Sequence, residues 1–118
     1  MKINPKLLEN DNYSTTEEII GTWLSKPLYR KVIDFGALPN NTSKSVSHGI
    51  TNRDKIVNIH GYSYRSADDT YITLPYSATG TQNVACYVNG SNVIAITYQD
   101  RRNFAVSYVV IEYTKTTD

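Results

Sequence analysis

The chain has 118 residues and a formal net charge of +1. That is room for one domain and one core, and with Lys and Arg scattered among the acids it argues against a nucleic-acid partner. No apolar stretch reaches the length of a membrane span, and no basic start leading into an apolar run marks a secretion signal, so neither membrane insertion nor export by that route is expected. Ten tyrosines against two phenylalanines suit half-wet surfaces, because Tyr packs as an aromatic and keeps a polar tip.

Residues 1–12 hold Pro5 and no clear period, and read as a flexible lead-in to a single β domain over residues 13–118. Ser14-Thr-Thr-Glu17 has the Ser-x-x-Glu form of a capping box, so a short helical turn over residues 15–20, stopped by Gly21, is the most helix expected. A two-residue turn at Ser25-Lys26 leads into a strand over 28–35, with Pro27 at its start and Tyr29, Ile33 and Phe35 on one side. Pro39-Asn-Asn-Thr42 is a turn cluster. A short strand is expected over 44–48 and a longer one over 54–64. Gly61 inside it hints at a bulge or a close backbone approach. A loop at 66–69 and a strand over 71–74 follow.

The last third predicts strands over 84–88 and 92–98 around Asn89-Gly90, a strong short-range hairpin signal. A second hairpin through Gln99-Asp-Arg-Arg-Asn103 leads to a strand over 104–113, which makes a three-stranded meander. Many short strands at regular spacing predict an all-β fold, an antiparallel β-sandwich in the manner of jelly rolls. The last strand is apolar on both sides: Phe104, Val106, Tyr108 and Val110 on one, Val109, Ile111 and Tyr113 on the other. An outer strand of a lone sandwich keeps one side polar. Tyr108, Val109, Ile111 and Tyr113 are therefore expected to meet a second subunit.

The residues give little support to catalysis. No nucleophile elbow, phosphate-binding glycine loop or zinc-ligand spacing is present. His48 and His60 read as surface or interface histidines, and Asp68-Asp69 as a solvated turn, since the acids of a calcium loop are missing. Cys86, in Val84-Ala-Cys-Tyr-Val88, reads as a small buried hydrophobe; one cysteine without an internal partner suits folding in a reducing cytoplasm. No metal and no cofactor is expected. Binding is the better expectation. Two loops set tyrosine beside charged groups that could hold a sugar: Tyr64, Asp68, Asp69 and Tyr71 in one, Tyr98, Arg101 and Arg102 in the other.

One block carries a resemblance. Ile20-Gly-Thr-Trp-Leu-Ser-Lys-Pro-Leu-Tyr-Arg-Lys-Val-Ile-Asp-Phe-Gly36 resembles the Gly-Thr-Trp…Lys-Pro-(Ile/Leu)-Tyr-Arg-Lys segment of tail-fibre and receptor-binding proteins from phages and prophages of Gram-positive bacteria. Tyr13-Ser-Thr-Thr-Glu17, Ile33-Asp-Phe-Gly-Ala-Leu-Pro-Asn-Asn-Thr42, His48-Gly49-Ile50, Tyr62 and Tyr113-Thr-Lys-Thr-Thr-Asp118 fit the same pattern. In one departure, Ser25 stands alone before Lys26 where that pattern has Asp-Gly. The resemblance implies a virion protein, made in the host bacterial cytoplasm and carried in the tail. It would be a non-enzymatic fibre or baseplate tip domain and a homotrimer. Its partners would be other tail or baseplate proteins and a host cell-wall saccharide. The alternative is a fibre-assembly or capsid-decoration module without a ligand of its own.

Overall fold

The structure is a computed structural model that describes residues 12–118; the expected lead-in over 1–12 lies, but for Asn12, outside the described residues. The fold is all-β. Its strands are β1 (Glu18–Trp23), β2 (Lys26–Asp34), β3 (Ser43–Ser47), β4 (Arg53–Arg65), β5 (Thr70–Leu74), β6 (Val84–Asn89), β7 (Asn92–Thr97) and β8 (Val106–Lys115). They form two antiparallel sheets, ordered β1-β2-β8-β4-β5 and β3-β7-β6. The expected all-β class with antiparallel sheets is what the chain adopts.

The chain divides into two compact units, one of residues up to Ile33 with 51–59 and 110–118, the other of residues 34–50 and 60–109. In the first, Ile33, Ile111 and Tyr113 are buried. The Tyr29 ring stacks on Tyr113 at 5.8 Å. The opposite side of the sheet is charged: Arg30 meets Glu112 at 2.9 Å, and Asn58 donates to the same carboxylate at 3.1 Å. In the second unit, Phe35, Leu38, Ile72, Leu74, Val84, Val93, Phe104 and Val109 form the core. Each such side chain contributes about 1.5–3 kcal/mol of burial.

The expected helical turn over 15–20 does not form; residues 15 and 16 are a bend and β1 starts at Glu18. Both halves of the capping box are used elsewhere. Ser14 Oγ accepts the Thr16 N–H at 3.1 Å, a local turn that competes with a helix start. Glu17 accepts the Tyr113 hydroxyl and pairs with Lys115 at 2.7 Å.

Two of the three predicted hairpins form, each with its turn one residue from the expected place. Trp23 pairs with Lys26, so Leu24-Ser25 is the turn and not Ser25-Lys26. Both have positive φ, 48° and 70°, which is the type I′ requirement that matches strand twist. Asn89 pairs with Asn92, which makes the turn Gly90-Ser91, with Gly90 at φ 62°.

The expected meander is overturned. β7 belongs to the three-stranded sheet and β8 to the five-stranded one, so residues 99–103 carry the chain from one sheet to the other. Local bonds direct that passage: Arg101 N–H donates to Pro39 O, Leu38 N–H to Phe104 O and Phe104 N–H to Arg101 O. Phe104 is a core residue ahead of the strand, which starts at Val106.

The same topology corrects the subunit-interface expectation. β8 lies between β2 and β4, a central strand rather than an outer one. Val109, Ile111 and Tyr113 are 0% exposed within the single chain, so no second subunit is needed to cover them. Tyr108 is half-buried on the other side of the strand.

Candidate functional site

β4 and β5 build one aromatic surface from simple alternation. Their register sets Tyr62 opposite Thr73, Ser63 opposite Ile72 and Tyr64 opposite Tyr71. Side chains alternate along each strand. Ser63, Ile72 and Leu74 are buried. Ser63 Oγ shares a 2.7 Å hydrogen bond with Ser107 Oγ of β8, which satisfies two buried hydroxyls with each other. Tyr62, Tyr64 and Tyr71 therefore take the opposite side, with Tyr108 next to Ser107 in sequence. Gly61 permits a close approach here: a Cβ on it would meet Tyr108 O at 2.3 Å. The sequence expectation of a close backbone approach at Gly61 is met.

The four rings form a continuous row. Tyr64 and Tyr71 have centroids 4.6 Å apart, Tyr71 and Tyr62 5.9 Å, and Tyr62 and Tyr108 5.9 Å. All three contacts are tilted, the arrangement that ring quadrupoles favour over face-to-face stacking. Tyr71 is 64% exposed and Tyr62 42%. The row is thus a rigid platform of ring faces and hydroxyls open to solvent.

The β4–β5 loop fixes one end of it. Arg65 forks onto Asp68 with two 2.8 Å bonds, and its guanidinium lies 4.7 Å from the Phe104 ring. That bidentate partner holds the Asp68 carboxyl below its usual range. Asp69, at φ 55°, accepts a hydrogen bond from the Tyr64 hydroxyl, which pushes the Tyr64 pKa up. Of the first candidate loop, then, Tyr64, Asp69 and Tyr71 come together, while Asp68 is engaged by Arg65. Tyr62 belongs to this surface and was missed as a ligand residue, as was Tyr108, which had been assigned to an interface. The alternation of Tyr62 and Tyr64 is visible in the sequence; the pairing of β8 with β4 is not.

The second candidate loop does not form a site. Arg101 is 7% exposed; it donates to Gln82 O at 2.7 Å and lies 5.5 Å from the Phe104 ring. It is a structural pillar under the 80–83 segment, which corrects its expected role as a ligand contact. Its Nε has no hydrogen-bond partner among the described residues. Arg102 instead forks onto Asp100 at 3.0 and 2.8 Å in solvent, and lowers the Asp100 pKa to about 2. Tyr98, 48% exposed, stands apart from both. It rims a depression of about 500 Å³ whose lining includes Pro75, Tyr76, Asn83, Val84 and Ala85.

The remaining candidates have structural surroundings. The His48 ring is buried; Nδ1 accepts the Ile50 N–H at 3.0 Å, which leaves Nε2–H to donate to Gly90 O at 2.9 Å. His60 is exposed. Cys86 is part-buried, and burial pushes its thiol up to about 11, away from the reactive thiolate. Among the described residues, no three of His, Cys, Asp or Glu gather in a way that could hold a metal ion. Among the described residues, no helix is long and apolar enough to cross a membrane.

No protein-family model, curated protein or solved structure matches the chain.

Proposed function

We propose that the chain is a non-enzymatic adhesion module, the tip domain of a phage tail fibre or baseplate, which holds a saccharide of the host cell wall on its tyrosine row. The observation that carries the binding part is the row itself: Tyr64, Tyr71, Tyr62 and Tyr108 in unbroken ring contact, with Tyr71 64% exposed. The apolar CH faces of sugars lie on such rings, and hydroxyls and a carboxylate at the margin orient them. The virion part rests on the resemblance of residues 20–36 to phage receptor-binding proteins. Assembly as a homotrimer in the tail, beside other fibre or baseplate proteins, would present three weak sites at once and raise avidity without new contacts.

Binding to purified cell walls of Gram-positive hosts tests the reading. Tyr71→Ala and Tyr62→Ala are each expected to weaken binding about tenfold, equivalent to about 1.4 kcal/mol, with circular dichroism unchanged. Undiminished binding by both variants, or no binding of the parent chain to any wall, overturns it. The second reading, a fibre-assembly or decoration module, is favoured by a different observation: the exposed apolar tip at Trp23 and Leu24.

A further inference from the structure

In two places a pair of tyrosines stands beside a carboxylate. In the first unit the Tyr29 and Tyr113 rings stack at 5.8 Å, and Glu17 accepts the Tyr113 hydroxyl. Lys115 completes that group. Its Nζ lies 5.0 Å from the centre of the Tyr29 ring and 2.7 Å from Glu17. An ammonium held in this way gains twice, from the negative face of the ring and from the carboxylate.

The Tyr64–Tyr71 end of the row repeats the rings and the acid. The two centroids are 4.6 Å apart, and Asp69 accepts the Tyr64 hydroxyl. The cation is what the chain does not supply here. Arg65 is the only Lys or Arg in residues 60–74 and 106–109. It forks onto Asp68 and lies against Phe104 instead of on the row. His60 precedes Tyr64 by roughly 13 Å of strand. Asp69 is exposed and has no ion pair among the described residues. A carboxylate offers about four lone-pair sites, and the Tyr64 hydroxyl takes one of them. With Arg65 and Asp68 cancelling, this end of the row carries the negative charge of Asp69 beside open ring faces.

We propose that the Tyr64–Tyr71 end of the row binds the ammonium group of a positively substituted saccharide, held against the ring faces and the Asp69 carboxylate. The inference rests on the adhesion reading and narrows its saccharide to a cationic one. Ring faces suit a quaternary ammonium, and the free lone pairs of Asp69 suit the N–H donors of a primary amine. The shared chemistry is the positive nitrogen, which an amino sugar, an amine-bearing ester or a choline substituent would each present. A phosphate or uronate in the same place would meet Asp69 as a like charge. Tyr62 and Tyr108 remain for the uncharged faces of neighbouring sugar rings.

Co-sedimentation with purified Gram-positive cell walls tests it. Choline chloride is expected to displace the bound chain where sodium chloride at equal ionic strength does not. Acetic anhydride turns wall amines into neutral amides and leaves quaternary groups alone. Acetylated walls that bind at least about tenfold more weakly identify an amine as the ligand group; undiminished binding that choline still displaces identifies a quaternary one. Asp69→Asn removes the charge and keeps the turn, since Asn tolerates the φ of 55° as Asp does. It is expected to bind untreated walls about tenfold more weakly, with circular dichroism unchanged. The inference is overturned if choline displaces no better than sodium, or if Asp69→Asn binds undiminished. In both cases the parent chain still binds walls, so adhesion stands while the ammonium site falls. A parent chain that binds no wall removes both.

Discussion

In the first unit, Tyr29 and Tyr113 stack nearly parallel at 15°, and both hydroxyls donate to carboxylates, of Asp118 and Glu17 respectively. In the second, Tyr62, Tyr64, Tyr71 and Tyr108 touch at tilts of 35° to 49°, and Tyr71 and Tyr62 lie open to solvent. Tyr113 has no exposure at all, so its ring is core and its hydroxyl a buried polar group that must be satisfied. Tyr71 and Tyr62, by contrast, are 64% and 42% exposed. The same residue type thus serves cohesion in one place and offers contact in the other, and the surroundings of the hydroxyl tell the two apart.

Truncation should separate the groups most sharply. Tyr113→Ala removes a fully buried ring and strands Glu17 with Lys115 alone; the expected loss is about 3–5 kcal/mol, read by denaturant unfolding. Tyr71→Ala should cost about 1 kcal/mol in the same measurement, because it gives up only the tilted contacts with Tyr64 and Tyr62. If Tyr71→Ala destabilised the chain as much as Tyr113→Ala, the row would be a structural cluster and its role as a platform would fail.

Gly61→Ala comes next in size and bears on the exposed group alone. The added methyl would meet backbone, Tyr108 O at 2.3 Å, and backbone cannot swing aside as a flexible side chain does. Overpacking of this kind costs about 1–3 kcal/mol. Because the displaced residue is Tyr108, the near-ultraviolet signal of the tyrosines should change along with the midpoint. An unchanged midpoint would mean that β4 and β8 lie further apart here than the close approach implies.

Local pattern was legible in the sequence, and long-range pairing was not. The alternation in β4 placed Tyr62 and Tyr64 on one side, and Gly61 announced a close approach. Two hairpins were visible from their turn residues, though the closing pairs Trp23–Lys26 and Asn89–Asn92 moved each turn by one position. The error at β8 was of another kind. A strand apolar on both sides reads equally as an outer strand covered by a partner or as a central strand covered by its own chain. Only the insertion of β8 between β2 and β4 decides between them. Arg101 was misread for the same reason: a charged residue beside a second arginine looks like a loop tip until Pro39 and Gln82 are found to hold it.

The smallest effect expected is spectroscopic, and it asks whether a carboxylate partner marks each group as the geometry implies. The Asp118 carboxylate accepts the Tyr29 hydroxyl at 2.6 Å and pushes the Tyr29 pKa up to about 12; burial first and Glu17 second push Tyr113 up as well. A hydrogen bond donated by a phenol favours the neutral form and opposes ionisation beside a negative charge. The sign follows for stability. A phenol whose folded pKa is raised contributes fully below its unfolded value of about 10 and loses that contribution as pH rises through the folded value. Tyrosinate absorbance should therefore show a late step near pH 12 that Tyr29→Phe removes and Asp118→Asn moves back toward about 10. In the second unit Asp69→Asn should lower the Tyr64 titration, because the same kind of hydrogen bond raises it. If Asp118→Asn left the late step in place, the hydroxyl of Tyr29 would not be held by Asp118. The contrast between satisfied and open tyrosines would then narrow to Tyr113 alone.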